Sequence, residues 1–159
     1  MNQVVVKQEK SGYQIVEAYK SLRTNLQFCG EDKKVIAVTS CTPNEGKSSV
    51  SMQLGISLAE SGKRVILIDA DLRKSVLLGR TKTQKSVRGL AHFLSGQATL
   101  EDVICSTNVK NFYMIYSGPF PPNPAELLGG KNFRSLLNAL RKVYDYVIVD
   151  TLSLIHISE

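Results

Sequence analysis

Short apolar runs alternate with stretches of three-and-four spacing along the whole chain. "KVIAVTS" (34–40), "RVILIDA" (64–70), "FYMIYS" (112–117) and "YDYVIVD" (144–150) are rich in Val, Ile and Tyr. Continuous apolar runs of this length suit strands buried on both faces of a parallel sheet.

The intervening segments have helical periodicity. Val50, Leu54 and Leu58 share one stripe of "SSVSMQLGISLAESGK", with Gly62 placed as its C-cap. Leu136, Leu137, Leu140 and Val143 do the same in "KNFRSLLNALRKV". "GLAHFLSGQATLEDVI" predicts two short helices broken at Ser95-Gly96. The proline-dense loop "SGPFPPNPAELL" puts Pro124 where it would start the last helix. An amphipathic helix, about Tyr13 to Phe28, precedes the first strand. Strand, helix, strand in this order implies right-handed crossovers and an α/β fold with a mostly parallel, doubly wound sheet.

At 159 residues the chain suffices for one domain with a real core. Its 43% apolar and 21% charged composition excludes a disordered chain. No apolar run approaches the roughly 20 residues that span a bilayer, and "MNQVVVKQEK" lacks a signal peptide's apolar centre, so the cytoplasm is the expected compartment. Cys29, Cys41 and Cys105 stand far apart, with His92 and His156 as the two histidines, so neither a zinc site nor a disulfide framework is expected. The 20 basic residues exceed the 14 acidic ones, for a net charge of +6. That excess fits a solvated surface or attraction to an anionic partner: nucleotide, nucleic acid or a membrane's inner face.

The chemistry concentrates at strand ends. "VIAVTSCTPNEGKSS" sets Gly-Lys-Ser between a buried strand and a helix start, although Cys41 stands where the usual phosphate loop has its first glycine. Such a loop needs inward backbone N–H groups, a helix N-terminus, a lysine and a hydroxyl. Thr42, Pro43, Asn44, Glu45, Gly46, Lys47, Ser48 and Ser49 would cradle the nucleotide, with Gly46 allowing close approach of phosphate. Lys47 would meet the β- and γ-phosphates, and Ser48 would offer its oxygen to Mg²⁺. "VILIDADLR" then places Asp69 and Asp71 at a second strand end, and "YVIVD" places Asp150 at a third. In a parallel sheet these ends share one edge, and residues two apart on a strand share one side. A Gly-Lys-Ser standing alone in a turn says little; with three such aspartates it indicates a P-loop fold binding a nucleotide and Mg²⁺.

"SCTPNEGKSS", "VILIDADLRKS" and "YDYVIVDT" resemble the Walker A, A′ and B motifs of the bacterial protein-tyrosine kinases of capsule and exopolysaccharide synthesis. The likeness extends to "EAYKSLRTNLQF", "GLAHFLSGQATLEDVI" and "SGPFPPNPAELL", covering about residues 13–151. It implies Mg-ATP-dependent autophosphorylation on tyrosine. Lys47, Asp69 and Asp71 would be catalytic, Asp69 as the candidate base. Ser48, Asp69, Asp71 and Asp150 would form the metal environment, directly or through water. "EAYKSLR" resembles the family's E-x-x-R-x-x-R element, so Glu17, Lys20 and Arg23 would link subunits into a homo-oligomeric ring, with Lys20 replacing the first arginine and its bidentate fork. Spacing alone puts these three residues on the exposed face of an amphipathic helix. The resemblance further implies a transmembrane activator, a polysaccharide co-polymerase, recruiting the domain to the inner face of the membrane, and no nucleic acid.

Two other readings compete. Chromosome-partitioning and division-site ATPases share fold and Asp-x-Asp pattern, but carry an early lysine, K-G-G-x-G-K, where this chain has Thr42. An inactive nucleotide-binding fragment is the second. The segment "LSLIHISE", Leu152 to Glu159, fits no family element and back-translates into a transposon-end sequencing adapter. It is therefore expected to be non-native read-through after a kinase domain over 1–151. The family's further sheet, helices and tyrosine-rich tail would be missing, and the six tyrosines present read as core or helix residues rather than acceptors.

Overall fold

A computed structural model describes residues 2–6, 35–39, 47–70, 81–82, 88–118 and 123–151. Its elements are β1 (Asn2–Val6), β2 (Val35–Thr39), α1 (Lys47–Glu60), β3 (Val65–Asp69), β4 (Thr81–Lys82), α2 (Leu90–Leu94), α3 (Leu100–Val103), β5 (Cys105–Thr107), β6 (Phe112–Ile115), α4 (Pro124–Leu128), α5 (Lys131–Val143) and β7 (Tyr146–Thr151). The sheet order is β2-β7-β3-β6-β5-β1-β4. β2, β7, β3 and β6 run parallel, as β1 does to β5, while β5–β6 and β1–β4 are antiparallel. The four apolar runs of the sequence are thus the parallel centre, and the fold is the expected P-loop α/β type.

Alternation along β3 sorts the core into two layers. Val65 and Leu67 join Met52, Leu54, Ile56 and Leu58 of α1, while Ile66 and Ile68 join Leu90 and Leu94 of α2 and Phe133, Leu136, Leu137 and Leu140 of α5. Burial of one such leucine contributes about 1.5–3 kcal/mol relative to leaving it exposed. α1 approaches β6 at Gly55, where a Cβ would overlap the Phe112 ring. It ends where the sequence indicates, at Gly62 with φ +93°. The two short helices also appear where expected. α3 is held by a capping box in which Asp102 N donates to Thr99 Oγ1 at 3.4 Å and Thr99 N donates to Asp102 Oδ2 at 3.0 Å. The bond from the Thr99 backbone first, and then the Thr99 hydroxyl, hold the Asp102 carboxyl below its usual range.

Two expectations need correction, and one strand was not anticipated. Pro124 starts α4, and the last helix begins separately at Lys131 after Gly130. Val143 is 52% exposed, because the final turn of α5 carries it past the sheet that buries Leu136, Leu137 and Leu140. The N-terminal segment forms a strand that helical and long-run patterns do not announce: Val4 and Val6 are buried and Val5 exposed, a two-residue alternation too short to stand out. β1 is fixed by Val6 N donating to Asn108 Oδ1 at 2.6 Å and by parallel pairing to β5. The helix expected near 13–28 lies outside the described residues. None of the described helices is long and apolar enough to cross a membrane.

Candidate functional site

The site follows from strand order. β7 lies between β2 and β3, so Val38 pairs with Asp150 on one side and Asp69 pairs with Asp150 on the other. Two acidic strand ends, 81 residues apart in sequence, become direct neighbours across one ladder, and Ala70 N donates to Asp150 O at 2.8 Å just beyond them. Leu67 and Ile148, two positions before each aspartate, belong to the α1 layer. The two-residue period therefore turns Asp69 and Asp150 to the α1 face. Both are deeply buried, at 2% and 1% exposure.

α1 supplies the other half. It begins at Lys47, so Lys47, Ser48 and Ser49 occupy its first turn, directly after the 40–46 loop that leaves β2. A helix N-terminus presents unsatisfied N–H groups and about half a positive charge, which suits a phosphate. Ser51, one turn further, is fully buried. The loop residues Thr42, Pro43, Asn44, Glu45 and Gly46, the second A′ carboxylate Asp71, and the helix residues Glu17, Lys20 and Arg23 lie outside the described residues. Of Lys47, Ser48 and Ser49, the main chain is described.

Two adjoining carboxylates at this depth repel one another unless a cation or donors screen them. Their chemistry suits a hard divalent ion with oxygen ligands, such as Mg²⁺. Among the described residues alone, no group of three or more His, Cys, Asp or Glu side chains could hold a metal. Asp69 and Asp150 are the two carboxylates of the expected metal set that lie among the described residues.

The neighbouring edge is braced by α2. Leu90 N donates to Tyr116 O at 2.6 Å and Ala91 N to Ser117 O at 2.9 Å. Gly89 and Gly118 touch main chain to main chain; a Cβ on Gly89 would fall onto the Gly118 nitrogen, and Gly118 has φ +81°. Gly89 N donates to His92 Nδ1 at 3.0 Å, so His92 serves this turn rather than a metal. Sequence reasoning did not single out Ser51 and read Tyr116 as a core or helix residue, and both are buried. Ser51 stands four residues after Lys47, a helical step, and Tyr116 falls two after Met114 on the α1 layer, so both carried a periodic signal.

Other titratable groups sit away from this edge. Cys105, in the core on β5, has its thiol pushed up to about 11 by burial. At the opposite end of the sheet the Arg64 guanidinium lies over the Tyr113 and Tyr144 rings at 5.7 and 5.3 Å, and the two rings meet edge-to-face at 5.3 Å. Burial raises the Tyr144 phenol, and Arg64 opposes the rise. Tyr116 and Tyr144 are buried, and Tyr113 and Tyr146 partly so, as expected of core residues.

A family model described as AAA domain matches residues 33–157. The tyrosine-protein kinase CpsD of Streptococcus agalactiae is 44% identical over 135 residues, which cover 85% of this chain and 59% of CpsD. The chain thus spans less than two thirds of such relatives. Among solved structures, the BceF tyrosine kinase domain superposes with a TM-score of 0.79 at 41% identity, covering 89% of this chain and 57% of that one. The septum site-determining protein MinD of Pyrococcus horikoshii, complexed with Mg-ADP, is more distant: TM-score 0.62, 26% identity, 79% of this chain and 51% of that one.

Proposed function

The chain belongs to the AAA domain family and its relatives are bacterial tyrosine-protein kinases, and from this we propose that it forms the nucleotide-binding part of a kinase that transfers the γ-phosphate of ATP to tyrosine. The observation that carries the proposal is the Asp69–Asp150 pair, buried side by side on the face that holds the start of α1. Phosphoryl transfer asks for positioning and charge neutralisation more than for a nucleophilic side chain.

In this reading the N–H groups of the 42–46 loop and of the first turn of α1 cradle the phosphates, and Lys47 neutralises the γ-phosphoryl oxygens. Ser48, Asp71 and Asp150 would hold Mg²⁺, which would supply positive charge to offset that of the phosphates. Asp69, also at the metal's edge, accepts the proton of the attacking tyrosine hydroxyl. That hydroxyl has a pKa near 10, so a carboxylate in reach assists its attack. The acceptor tyrosines belong to a neighbouring copy in a homo-oligomeric ring assembled through Glu17, Lys20 and Arg23. A transmembrane activator, the co-polymerase partner, would bring the domain to the inner face of the membrane for control of capsular or extracellular polysaccharide synthesis.

A partitioning or division-site ATPase of the ParA or MinD type is the second reading, favoured by the shared fold with MinD. Thr42, at the early lysine position of those ATPases, speaks against it. The deciding experiment uses the full-length protein: Asp69→Asn is expected to abolish tyrosine autophosphorylation while nucleotide still binds. ATP hydrolysis stimulated by DNA or membrane, with no phosphotyrosine formed, would reject the kinase reading.

A further inference from the structure

The aspartates stand where β3 and β7 end; the opposite edge, where β3, β6 and β7 begin, carries a different chemistry. Hydrogen bonds lock its loops into one rim. Val65 N donates to Asn111 O at 2.8 Å, Asp145 N to Arg64 O at 2.8 Å, and Arg64 N to Asp145 Oδ2 at 2.9 Å. Thr107 Oγ1 staples the turn between β5 and β6, accepting from Val109 N at 3.1 Å and donating to Phe112 O at 2.8 Å. α5 ends on the same rim, with Tyr144 and Asp145 joining it to β7.

Positive charge collects there. Lys63 and Arg64 lead into β3, Lys110 sits in the turn before β6, and Arg141 and Lys142 belong to the last turn of α5. Among the described side chains the other basic ones are Arg88, Lys131 and Arg134. Glu60 and Asp145 are the acidic ones at the rim, while Asp69, Glu101, Asp102, Glu126 and Asp150 lie elsewhere. Cations therefore outnumber carboxylates at the rim and are outnumbered beyond it. Helix dipoles account for cations at the ends of α1 and α5, but not for Lys110 in a strand-to-strand turn.

The rim also carries Val143, an exposed aliphatic side chain next to Arg141 and Lys142. An apolar tip set among cations suits the boundary of an anionic lipid surface. Single-stranded nucleic acid asks instead for open aromatic faces on which bases stack. The rings at this rim are already engaged: Tyr113 and Tyr144 meet edge-to-face at 5.3 Å, and Arg64 lies over both.

We propose that this rim is a contact surface for an anionic lipid membrane, with Lys63, Lys110 and Lys142 meeting headgroup phosphates and Val143 reaching the acyl boundary. The strand ends at Asp69 and Asp150 then point away from the lipid. The inference goes beyond the kinase reading and stands or falls separately from it, since lipid contact needs neither nucleotide nor tyrosine.

The test sediments the full-length protein with phosphatidylcholine vesicles containing about 30% phosphatidylglycerol, and with phosphatidylcholine alone, in about 0.1 M salt. The parent should bind the anionic vesicles and not the neutral ones. Each lysine near an anionic surface changes partition roughly fivefold, so Lys110→Gln/Lys142→Gln should bind about 25-fold less tightly. Lys131→Gln/Arg134→Gln removes the same net charge from the other end of α5 and should bind within about threefold of the parent. Val143→Ser should weaken binding by a smaller factor that added salt does not remove. All these side chains are exposed, so melting curves and ADP binding should match the parent. A parent that ignores anionic vesicles overturns the inference, as does a rim double variant that binds like the parent. Equal losses in the two double variants also overturn it, leaving net charge alone as the cause. Tighter binding to a single-stranded oligonucleotide, lost in the same rim variant, assigns the rim to nucleic acid and rejects the membrane.

Discussion

Asp69 and Asp150 are register partners on adjacent parallel strands, each ending an apolar run and each buried to within 2% of full enclosure on the face of α1. Their adjacency concentrates negative charge where the first turn of α1 brings a partial positive charge. Neutralising one carboxylate should relax that repulsion at the expense of cation binding. In the full-length protein Asp150→Asn is expected to weaken Mg²⁺-dependent ADP binding by at least about tenfold, the cost of losing one charged ligand bond. Metal-free binding should change little. Calorimetric titration with and without Mg²⁺ separates the two.

Gly55 and Gly89 predict different responses to the same added methyl. At Gly55 alanine gains up to about 1 kcal/mol of helix propensity but overlaps a ring edge, and overpacking of about 1–3 kcal/mol should leave the variant less stable. Because the obstacle is the Phe112 side chain, Phe112→Leu in the Gly55→Ala background should recover part of the loss despite its own cavity, a coupling that a double-mutant cycle reads. At Gly89 the obstacle is the Gly118 backbone, which has no rotamer to yield, so Gly89→Ala should cost about 3 kcal/mol. Urea unfolding curves of Gly55→Ala, Phe112→Leu, the double variant and Gly89→Ala test the ranking and close the cycle.

Alkaline instability follows from Cys105. Its folded value of about 11 lies above the ordinary 9.0, so the unfolded chain releases this proton first as pH rises. The thiol's contribution is complete below pH 9.0 and is lost as pH climbs through about 11. Tyr144, raised from 10.0 by burial, acts in the same direction at the upper end of that window. Melting temperatures across pH 8 to 11 should fall, and the fall should be shallower in Cys105→Ala. At pH 8, Cys105 should resist alkylation in the folded protein, as mass spectrometry of the peptide would show.

The half-buried state of β2 bears on the tail. Among the described residues β2 is paired on one side, with Ala37 exposed and Val35, Ile36 and Val38 partly so. A strand edge left unpaired would recruit other strands. We propose that Leu152–Glu159 are adapter read-through standing in place of native sequence. Resequencing the locus past the Thr151 codon should then replace "LSLIHISE" with proline-containing α/β sequence and a tyrosine cluster. The 159-residue chain expressed alone should aggregate and show little kinase activity. Recovery of the same eight codons from adapter-free sequencing, or a cooperative melt with strong autophosphorylation, would reject the proposal.

What could be read without coordinates is what depends on neighbours a few residues away. The runs ending in Asp69 and Asp150, the helix opening at Lys47 and closing at Gly62, and the break at Ser95-Gly96 are local patterns of period two, of period 3.6 or of turn chemistry. They marked the strands, the helices and the acidic ends correctly. The β1 alternation was legible in principle but too short to outweigh its polar flanks, and the fate of Val143 depended on where the sheet stops beneath α5.

The side-by-side placement of Asp69 and Asp150 is of another kind. It exists because β7, last in the described chain, enters between β2 and β3 in a register that sets Asp150 opposite Asp69. The sequence determined which residues end their strands and which face each would take. Strand order is chosen by packing the whole sheet between α1 on one side and α2 with α5 on the other, a sum of non-local contacts that no window of the chain contains. Only the tertiary structure decided that these strand ends would be neighbours.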